Sequence, residues 1–330
     1  MGKLRLSLAC WDYDRTRALA DGSVPVDGIE LLYQALPVEE TFFRMARYRE
    51  FDVAEMSLSS YFVSKFTPDD PFIAIPVFPS RAFRHSIVYI NEKSGIRAPA
   101  DLAGKRFGTP EFQLTAVVWI RGILADEYGV PVDSVTYLTG GEEEPGRPEK
   151  LKLDLPPNIR VQPIGPDQTL SAMLASGEID AFHGPRMPSS YARRAPGVRR
   201  LFEDYVPVER AYYEKTRIFP IMHTVVIRRE LYEGHRWIAM ALFKAFTRAQ
   251  AVAYADLEQT AALKTMLPWS FADAEATRAL MGKDFWPYGF EGNVPALDVF
   301  ARYSFEQGLS KRKLEPRELF APETLEAFKI

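Results

Sequence analysis

The chain is poor in cysteine and in long apolar runs, and both shortages exclude classes of protein. Its 330 residues contain one cysteine, Cys10, so no disulfide can form within the chain, which fits a reducing compartment. No run of about 18 apolar residues occurs, so no membrane-spanning helix is expected. The first residues alternate polar and apolar side chains as a strand does and lack the apolar segment of a secretory leader. A cytoplasmic protein is therefore expected.

Charge and motif content exclude further classes. Lysine and arginine number 41, aspartate and glutamate number 44, and the formal net charge is −3, whereas a nucleic-acid-binding protein needs a basic face. No glycine-rich phosphate-binding motif and no GxSxG motif is present. The four histidines show no HxxxH-type spacing, so a metal site would have to combine histidines with Asp12 and Glu55 from distant segments. No nucleic acid, membrane partner or cofactor is expected, and a divalent metal is the alternative to a cofactor-free site.

Alternating strand and helix patterns predict an α/β chain with two lobes. Strands are predicted over residues 3–10 and 29–33, with helices between strands, a pattern typical of mainly parallel sheets flanked by helices. A turn-rich stretch at 91–99 indicates a crossing into a second lobe, and a strand predicted at 221–228 returns the chain to the first. The expected lobes are residues 1–94 with 222–330, and residues 95–221 with a loop insertion at 139–158.

Several stretches resemble known families. Residues 101–108, DLAGKRFG, and residues 174–181, LASGEIDA, resemble the start of the second lobe and a helix-to-strand step in type II periplasmic-binding-protein-like proteins. That resemblance implies a two-lobed periplasmic-binding-protein type II-like fold with two hinge crossovers. Further stretches, spread from end to end, resemble the 4,5-dihydroxyphthalate decarboxylase family: LACWDYDRT (8–16), EETFF (39–43), DVAEMS (52–57), GGEEEPGR (140–147), FPIMHT (219–224) and LFAPE (319–323).

The resemblance implies a non-oxidative decarboxylation of 4,5-dihydroxyphthalate to protocatechuate (3,4-dihydroxybenzoate) and carbon dioxide. Direct loss of carbon dioxide from an aryl carboxylate would leave a localised aryl anion. We therefore expect protonation of the ring carbon first, with electron density supplied by the para oxygen. Such a site needs cations for the carboxylates, an acceptor near the catechol oxygens and an acid at the ring carbon. In a two-lobed α/β fold, these groups are expected in the cleft between the lobes, beyond the carboxyl ends of the strands.

Arginines that follow predicted strands are the candidates for binding the two carboxylates. Arg81 and Arg84 are the first choice, because guanidinium groups pair with carboxylates through two hydrogen bonds and stay charged when desolvated. Arg186 is a comparable candidate, and a solvated loop position is the alternative for each of the three. A helix expected to start at Thr109 and Pro110 could also hold an anion through its backbone amides.

Histidines are the candidate acids because they titrate near neutral pH. His85 and His223 are the best candidates, and His183 shares their position at a predicted strand end or crossover; the alternative for each is a structural role. Glu55 could accept a catechol proton, cap the following helix or pair with an arginine. The remaining candidate substrate-binding residues lie at strand ends and helix starts, and the two aromatic ones could stack on the ring or belong to the core: Trp11, Asp12, Tyr13, Ser57, Gln113 and Thr115.

A solute-binding protein of an ABC-type transporter, specific for a small aromatic carboxylate, is the alternative function. A transport receptor has to leave the cytoplasm, and the lack of a leader favours the enzyme. Thiamin-pyrimidine synthases share the fold, but their cysteine-rich iron motif cannot be built from Cys10 alone. The expected partner is therefore a small aromatic dicarboxylate substrate, and the expected assembly is a homo-oligomer.

Overall fold

A computed structural model describes residues 2–326, which form two compact units. Within that range, unit 1 comprises residues 2–81, 221–298 and 315–326, and unit 2 comprises residues 82–220 and 299–314. None of the helices in residues 2–326 has the length and apolarity needed to span a bilayer.

Strands and helices alternate along most of the described chain. The strands are β1 (Leu4–Cys10), β2 (Ile29–Ala35), β3 (Val53–Ser57), β4 (Phe72–Arg81), β5 (Val88–Asn91), β6 (Arg106–Thr109), β7 (Thr136–Thr139), β8 (Arg160–Pro163), β9 (Ala181–His183), β10 (Val198–Arg200) and β11 (Ile221–Arg228). The α-helices are α1 (Asp14–Ala20), α2 (Val38–Tyr48), α3 (Leu58–Ser64), α4 (Thr115–Tyr128), α5 (Leu170–Ser176), α6 (Ser189–Ala192), α7 (Tyr205–Thr216), α8 (Arg229–Gly234), α9 (Trp237–Leu257), α10 (Ser270–Met281) and α11 (Val294–Glu306). Short 3-10 helices cover His85–Ile87, Glu92–Ser94, Pro99–Leu102, Val132–Ser134, Glu291–Asn293, Pro316–Leu319 and Pro322–Thr324.

Unit 1 is built on a five-stranded sheet with the order β2-β1-β3-β11-β4. β1 pairs in parallel with β2 and β3, and β11 runs antiparallel to both of its neighbours, β3 and β4. All five residues of β3 are buried, as expected for a short apolar strand in the middle of a covered sheet. Glu55 belongs to this strand, so the fold carries a carboxyl group into the interior of unit 1.

Unit 2 is built on a six-stranded sheet with the order β10-β5-β9-β6-β7-β8. β6, β7, β8 and β9 pair in parallel, and β5 runs antiparallel to both of its neighbours, β9 and β10. Both sheets are thus mainly parallel with helices alongside, which confirms the expected α/β fold class.

The lobe boundaries differ from those expected. The first boundary lies after Arg81 rather than after residue 94, because β5 hydrogen-bonds to β9 and β10 and so belongs to the sheet of unit 2. Residues 299–314, expected in the first lobe, belong to unit 2 because they pack on α4. Trp119 contacts the Phe300 ring at 5.3 Å, and Arg121 donates a hydrogen bond to Gln307 at 2.8 Å. Apolar periodicity identified these helical residues but carried no information on their packing partner.

The helix expected to start at Thr109 and Pro110 starts later, at Thr115. The residues between are held in a bend, where the Thr109 hydroxyl donates to the Glu111 carbonyl at 3.2 Å and Arg121 donates to the Phe112 carbonyl at 2.6 Å. The amides directly after Thr109 therefore do not form a helix N-terminus. The loop insertion expected at 139–158 starts on Thr139, the last residue of β7, and residues 140–158 contain no helix or strand.

Candidate functional site

Polar side chains gather at one edge of the unit 1 sheet. β1 and β3 are parallel, so their carboxyl ends, at Cys10 and Ser57, lie at the same edge. β11 is antiparallel to β3, so its first residues, which include His223, lie at that edge as well. The carboxyl edge of a sheet is where open α/β folds place their ligands.

Strand register brings Glu55 and His223 together. Val225 pairs with Glu55 and His223 pairs with Ser57 across the antiparallel β3–β11 ladder. Residues directly opposite each other project to the same face, and residues two positions apart on one strand share a face. Glu55 and His223 are therefore diagonal neighbours, and the Nδ1 atom of His223 lies 2.6 Å from Oε1 of Glu55.

Both oxygen atoms of Glu55 are occupied by protein groups. Oε1 also accepts a hydrogen bond from the Tyr13 hydroxyl at 2.7 Å, and Oε2 accepts from the Trp11 backbone N–H at 3.0 Å and from the Cys10 thiol at 3.5 Å. Burial of Glu55, which has no exposed surface, would by itself raise the pKa of its carboxyl group. The charge of His223 and the hydrogen bonds outweigh burial and hold that pKa below its usual value. Glu55 is therefore an ionised, buried carboxylate.

His223 keeps one ring nitrogen for a ligand. An ionised carboxylate can only accept, so Nδ1 of His223 carries the hydrogen that it donates to Glu55. Among residues 2–326, Nε2 of His223 has no hydrogen-bond partner. The side chain is 16% exposed, and the Phe42 ring packs edge-on against it at 4.7 Å. The site thus presents one oriented imidazole nitrogen at the carboxyl edge of the sheet.

The other titratable neighbours of Glu55 are held in their neutral forms. Burial, and then the Glu55 charge, raises the pKa of the Tyr13 hydroxyl. The same two causes raise the pKa of the Cys10 thiol well above its usual value. Tyr13 is therefore a hydrogen-bond donor to Glu55, and Cys10 is a buried thiol rather than a reactive thiolate.

The expected role of Glu55 as an acceptor of a catechol proton does not fit this geometry. The same holds for its two alternatives, because its partner is His223 rather than an arginine and the helix after Ser57 receives no side-chain cap. A carboxylate with four neighbours and no exposed surface has no free edge for a substrate. Glu55 orients His223 instead.

The other candidate residues of unit 1 differ in their exposure and in their hydrogen-bond partners. Trp11 follows β1 and is 42% exposed, so its ring is accessible at the site. Asp12 is exposed and pairs with Arg17 at 3.3 Å. It is not among the residues that hydrogen-bond to Glu55. Arg81 is buried, and its Nη2 donates to the Pro287 carbonyl at 2.9 Å and to the Asn293 side chain. Burial lowers the pKa of Arg81 to about 9, which still leaves the guanidinium charged at neutral pH.

Two of the histidines lie in apolar surroundings in unit 2. His85 is 1% exposed and packs edge-on against the rings of Phe202, Tyr212 and Tyr128, at 5.2, 5.5 and 6.1 Å. Burial lowers the pKa of its ring to about 4. At neutral pH His85 therefore has no proton of suitable acidity to give, and the geometry favours His223 as the acid.

His183 is held in a stack of aromatic rings. The Phe107 ring lies 4.1 Å from it and nearly parallel, and the Tyr137 ring lies 6.2 Å away. Burial, and then the nearby charge of Arg121, lowers the pKa of His183 well below its usual value. Neither ring nitrogen has a hydrogen-bond partner within residues 2–326. A neutral histidine of this kind fills space in the core.

The remaining candidate residues of unit 2 differ from one another in burial and in hydrogen-bond partners. Arg84 precedes the 3-10 helix His85–Ile87, and burial lowers its pKa to about 10. Gln113 donates to Glu149 at 3.1 Å, and Thr115 is the buried first residue of α4. Thr109 is fully buried, whereas Arg186 is exposed.

Sequence reasoning missed an ion cluster in unit 2. Glu111 is 1% exposed on its side chain and accepts hydrogen bonds from Lys150 and Arg147, both at 2.6 Å. Burial would raise the pKa of Glu111, and the two cations outweigh it and lower that pKa. In the sequence, Arg147 and Lys150 lie in the loop insertion expected at 139–158, and nothing in the pattern indicates that they pair with Glu111. The residues 2–326 contain no group of three or more His, Cys, Asp or Glu side chains that could hold a metal ion.

Comparison with known proteins finds a relative that matches over the whole length and a second that matches over part of it. No protein-family model matches this chain. It is 47% identical over 330 residues to a 4,5-dihydroxyphthalate decarboxylase from Comamonas testosteroni, with 100% of both chains covered. It is also 48% identical over 204 residues to a 4,5-dihydroxyphthalate decarboxylase from Pseudomonas putida, which covers 62% of this chain and 79% of that one.

Solved structures show a similar fold. The periplasmic aliphatic sulphonate binding protein SsuA from Escherichia coli matches with a TM-score of 0.54, covering 98% of this chain and 99% of that chain. The two sequences are 14% identical, so the likeness concerns the fold alone. It confirms the expected periplasmic-binding-protein-like fold.

Proposed function

This chain belongs to the 4,5-dihydroxyphthalate decarboxylase family, and we propose that it removes one carboxyl group from 4,5-dihydroxyphthalate at the Glu55–His223 pair. The identity of 47% over all 330 residues supports the reaction. The contacts around Glu55 support the location, because they orient one histidine nitrogen at the carboxyl edge of the unit 1 sheet. The products are protocatechuate and carbon dioxide.

The chemistry requires an acid that protonates a ring carbon. Each carboxylate of the substrate is para to a hydroxyl group, which feeds electron density into the ring at the carbon that bears the carboxylate. Protonation forms a C–H bond there, and the C–C bond then breaks and returns its electron pair to the ring. One proton is consumed for each carbon dioxide released, and the ring regains its aromaticity.

His223 is the proposed acid, acting through Nε2. Its Nδ1–H donates to Glu55, so Nε2 is the ring nitrogen that is left to deliver a proton to the substrate. After giving its proton to the ring carbon, the neutral imidazole is protonated again from solvent. Glu55 is a positioning residue in this scheme, since it contacts His223 and not the substrate.

One observation carries the assignment. Of the three histidines proposed from the sequence, His223 alone has a carboxylate partner among the described residues, at 2.6 Å. His85 and His183 are buried among aromatic rings, and burial lowers the pKa of each. A neutral, enclosed imidazole cannot deliver a proton to a substrate at neutral pH.

The test is turnover by the purified protein and by one variant. With 4,5-dihydroxyphthalate and no added nucleotide or flavin, the wild type should release protocatechuate and carbon dioxide repeatedly. His223→Gln should lower kcat by about 10²–10⁴ in a protein that still folds, and His235→Gln, at an exposed position, should leave kcat unchanged. Binding of the substrate without any product would favour a solute-binding protein. Full activity in His223→Gln would exclude His223 as the acid.

A further inference from the structure

Arg15 is held between two aromatic rings in unit 1. Its Cζ atom lies 4.1 Å from the centre of the Tyr13 ring and 4.3 Å from the centre of the Trp286 ring. The side chain is only 16% exposed. Rings on a guanidinium group stabilise its charge and cover its faces, so the edge of the plane is the part left for hydrogen bonds.

The side-chain hydrogen bonds of Arg15 use Nε and Nη1. Nε donates to the Pro79 carbonyl at 2.6 Å, and Nη1 donates to Asp14 at 2.9 Å. Asp14 is a weak partner because its side chain is 64% exposed and solvated. Nη2 makes no hydrogen bond within residues 2–326. Arg15 therefore keeps donors for a ligand although most of its surface is buried.

A second polar group without a partner is influenced by the charge of Arg15. The hydroxyl oxygen of Tyr288 is buried and has no hydrogen-bond partner within residues 2–326. Burial raises the pKa of this hydroxyl, and the charge of Arg15 is the next influence and opposes the rise. Leaving a buried hydroxyl unpaired has a desolvation cost. A ligand oxygen that accepts from Tyr288 would remove that cost.

Tyr13 links Arg15 to the proposed acid, His223, through Glu55. One face of the Tyr13 ring covers Arg15, and its hydroxyl donates to the same Glu55 oxygen that accepts from His223. The Tyr13 side chain thus contacts both Arg15 and Glu55, and Glu55 contacts His223, all within unit 1. A substrate that presents a ring carbon to His223 also needs a cation nearby for its second carboxylate.

We infer that Arg15 and the Tyr288 hydroxyl bind the substrate carboxylate that is retained in the product. This assignment rests on the proposed function and names a residue outside the arginines expected from the sequence. Arg81 was the first choice, but its Nη2 already donates to Pro287 and Asn293. A guanidinium edge with paired donors is the group that recognises a carboxylate through two hydrogen bonds.

The test is binding of an unreactive dicarboxylate to Arg15 variants. Phthalate keeps both carboxylates but lacks the hydroxyl groups that activate the ring, and benzoate keeps one carboxylate. Arg15→Met should raise the Kd of phthalate by about tenfold to a hundredfold and reduce the preference for phthalate over benzoate. With 4,5-dihydroxyphthalate, KM should rise more than kcat falls. Arg47→Met is the matched control, because Arg47 covers the Phe43 ring at an exposed position of the same unit.

The outcomes separate this inference from the proposed function. An unchanged phthalate Kd in Arg15→Met, or no phthalate binding by the wild type, overturns the inference whatever His223→Gln does. If Arg15→Met has a Tm lowered by more than about 5 °C, Arg15→Lys decides, since it keeps the charge and loses the paired donors. Weaker phthalate binding in that variant supports the inference, and wild-type binding overturns it. Absence of turnover with Arg15-dependent phthalate binding would reject the proposed function alone.

Discussion

Glu55 and its hydrogen-bond donors fix the position of the His223 ring at the scale of single residues. Oε1 accepts from both Tyr13 and His223, so the tyrosine hydroxyl and the imidazole share one oxygen atom. The backbone N–H of Trp11 holds the other oxygen at 3.0 Å. The carboxylate cannot rotate without losing several bonds at once, and the imidazole is therefore oriented before the substrate binds.

Tyr13→Phe tests whether this network matters for the reaction. The ring stays on Arg15, but one donor to Glu55 is lost, and that hydrogen bond is among the causes that lower the pKa of Glu55. The pKa of Glu55 should therefore rise. Glu55 is ionised above its pKa, so the acidic limb of the kcat/KM profile should move to higher pH, and kcat should fall by about tenfold.

Tyr33→Phe is the control for this prediction. Its hydroxyl donates to the Trp11 carbonyl at 2.8 Å and lies 3.0 Å from the Thr16 hydroxyl, and it makes no hydrogen bond to Glu55. The pH profile of Tyr33→Phe should match that of the wild type. An acidic limb at the wild-type position in Tyr13→Phe would show that Tyr13 packs beside Glu55 without affecting its ionisation.

At the scale of secondary-structure elements, the bounds of a strand could be predicted from the sequence, whereas the register between strands could not. The strand at 221–228 was predicted with its observed bounds, and Glu55 and His223 were both named as candidates. Their pairing could not be predicted, because it depends on Val225 facing Glu55 across β3 and β11. Apolar patterns determine where a strand lies but not which residue of a distant strand it faces.

The late start of α4 shows a long-range contact prevailing over a local signal. Thr109 and Pro110 have the residue types of a helix start, yet α4 begins at Thr115. Glu111 lies in the bend between them and is bound by Arg147 and Lys150, which are more than 35 residues away in the chain. Local capping preferences contribute about 1 kcal/mol to stability. The stability lost when a buried ion pair is broken is larger.

Lys150→Met tests the contribution of that ion cluster to stability. The variant leaves Glu111 buried with one cation instead of two, and the free energy of unfolding should fall by about 3 kcal/mol. Chemical denaturation at neutral pH measures the change. Lys152→Met, at an exposed position of the same loop, should stay within about 0.5 kcal/mol of the wild type. A loss that is equally small in Lys150→Met would mean that the cluster is strongly solvated.

At the scale of the whole molecule, the two-unit α/β organisation could be predicted from the sequence. Which segments of the chain belong to which unit could not be predicted. Alternating strands and helices were visible in the sequence, and the fold class is confirmed. Residues 299–314 belong to unit 2 through contacts of side chains such as Arg121 and Gln307, which no periodicity reveals. The absence of a cofactor, the cytoplasmic location and the homo-oligomeric assembly stay predictions.

Buried histidines make the stability of the protein depend on pH. His85 has a folded-state pKa of about 4, whereas an unfolded histidine titrates near 6.5. Below about pH 6.5 the unfolded state therefore binds a proton that the folded state does not. Stability should decrease as pH falls from about 6.5 to about 4, by up to about 1.4 kcal/mol per pH unit for this group.

His85→Phe measures that contribution. The phenyl ring suits the aromatic surroundings of Phe202 and Tyr212 and removes the titrating group. Between pH 7.5 and 5.5, the variant should lose about 1 kcal/mol less unfolding free energy than the wild type. His235→Gln, at an exposed position, should lose as much as the wild type. Equal losses in all three proteins would show that His85 is protonated in the folded state.

A double-mutant cycle on Glu55 and His223 tests the central claim most directly. The values of kcat/KM are measured for the wild type, Glu55→Gln, His223→Gln and the double variant. If Glu55 acts only by orienting and stabilising His223, its loss has no further effect once His223 is gone. The double variant should therefore be no slower than His223→Gln. Multiplication of the two single effects in the double variant would contradict the account, because Glu55 would then act on the substrate independently of His223.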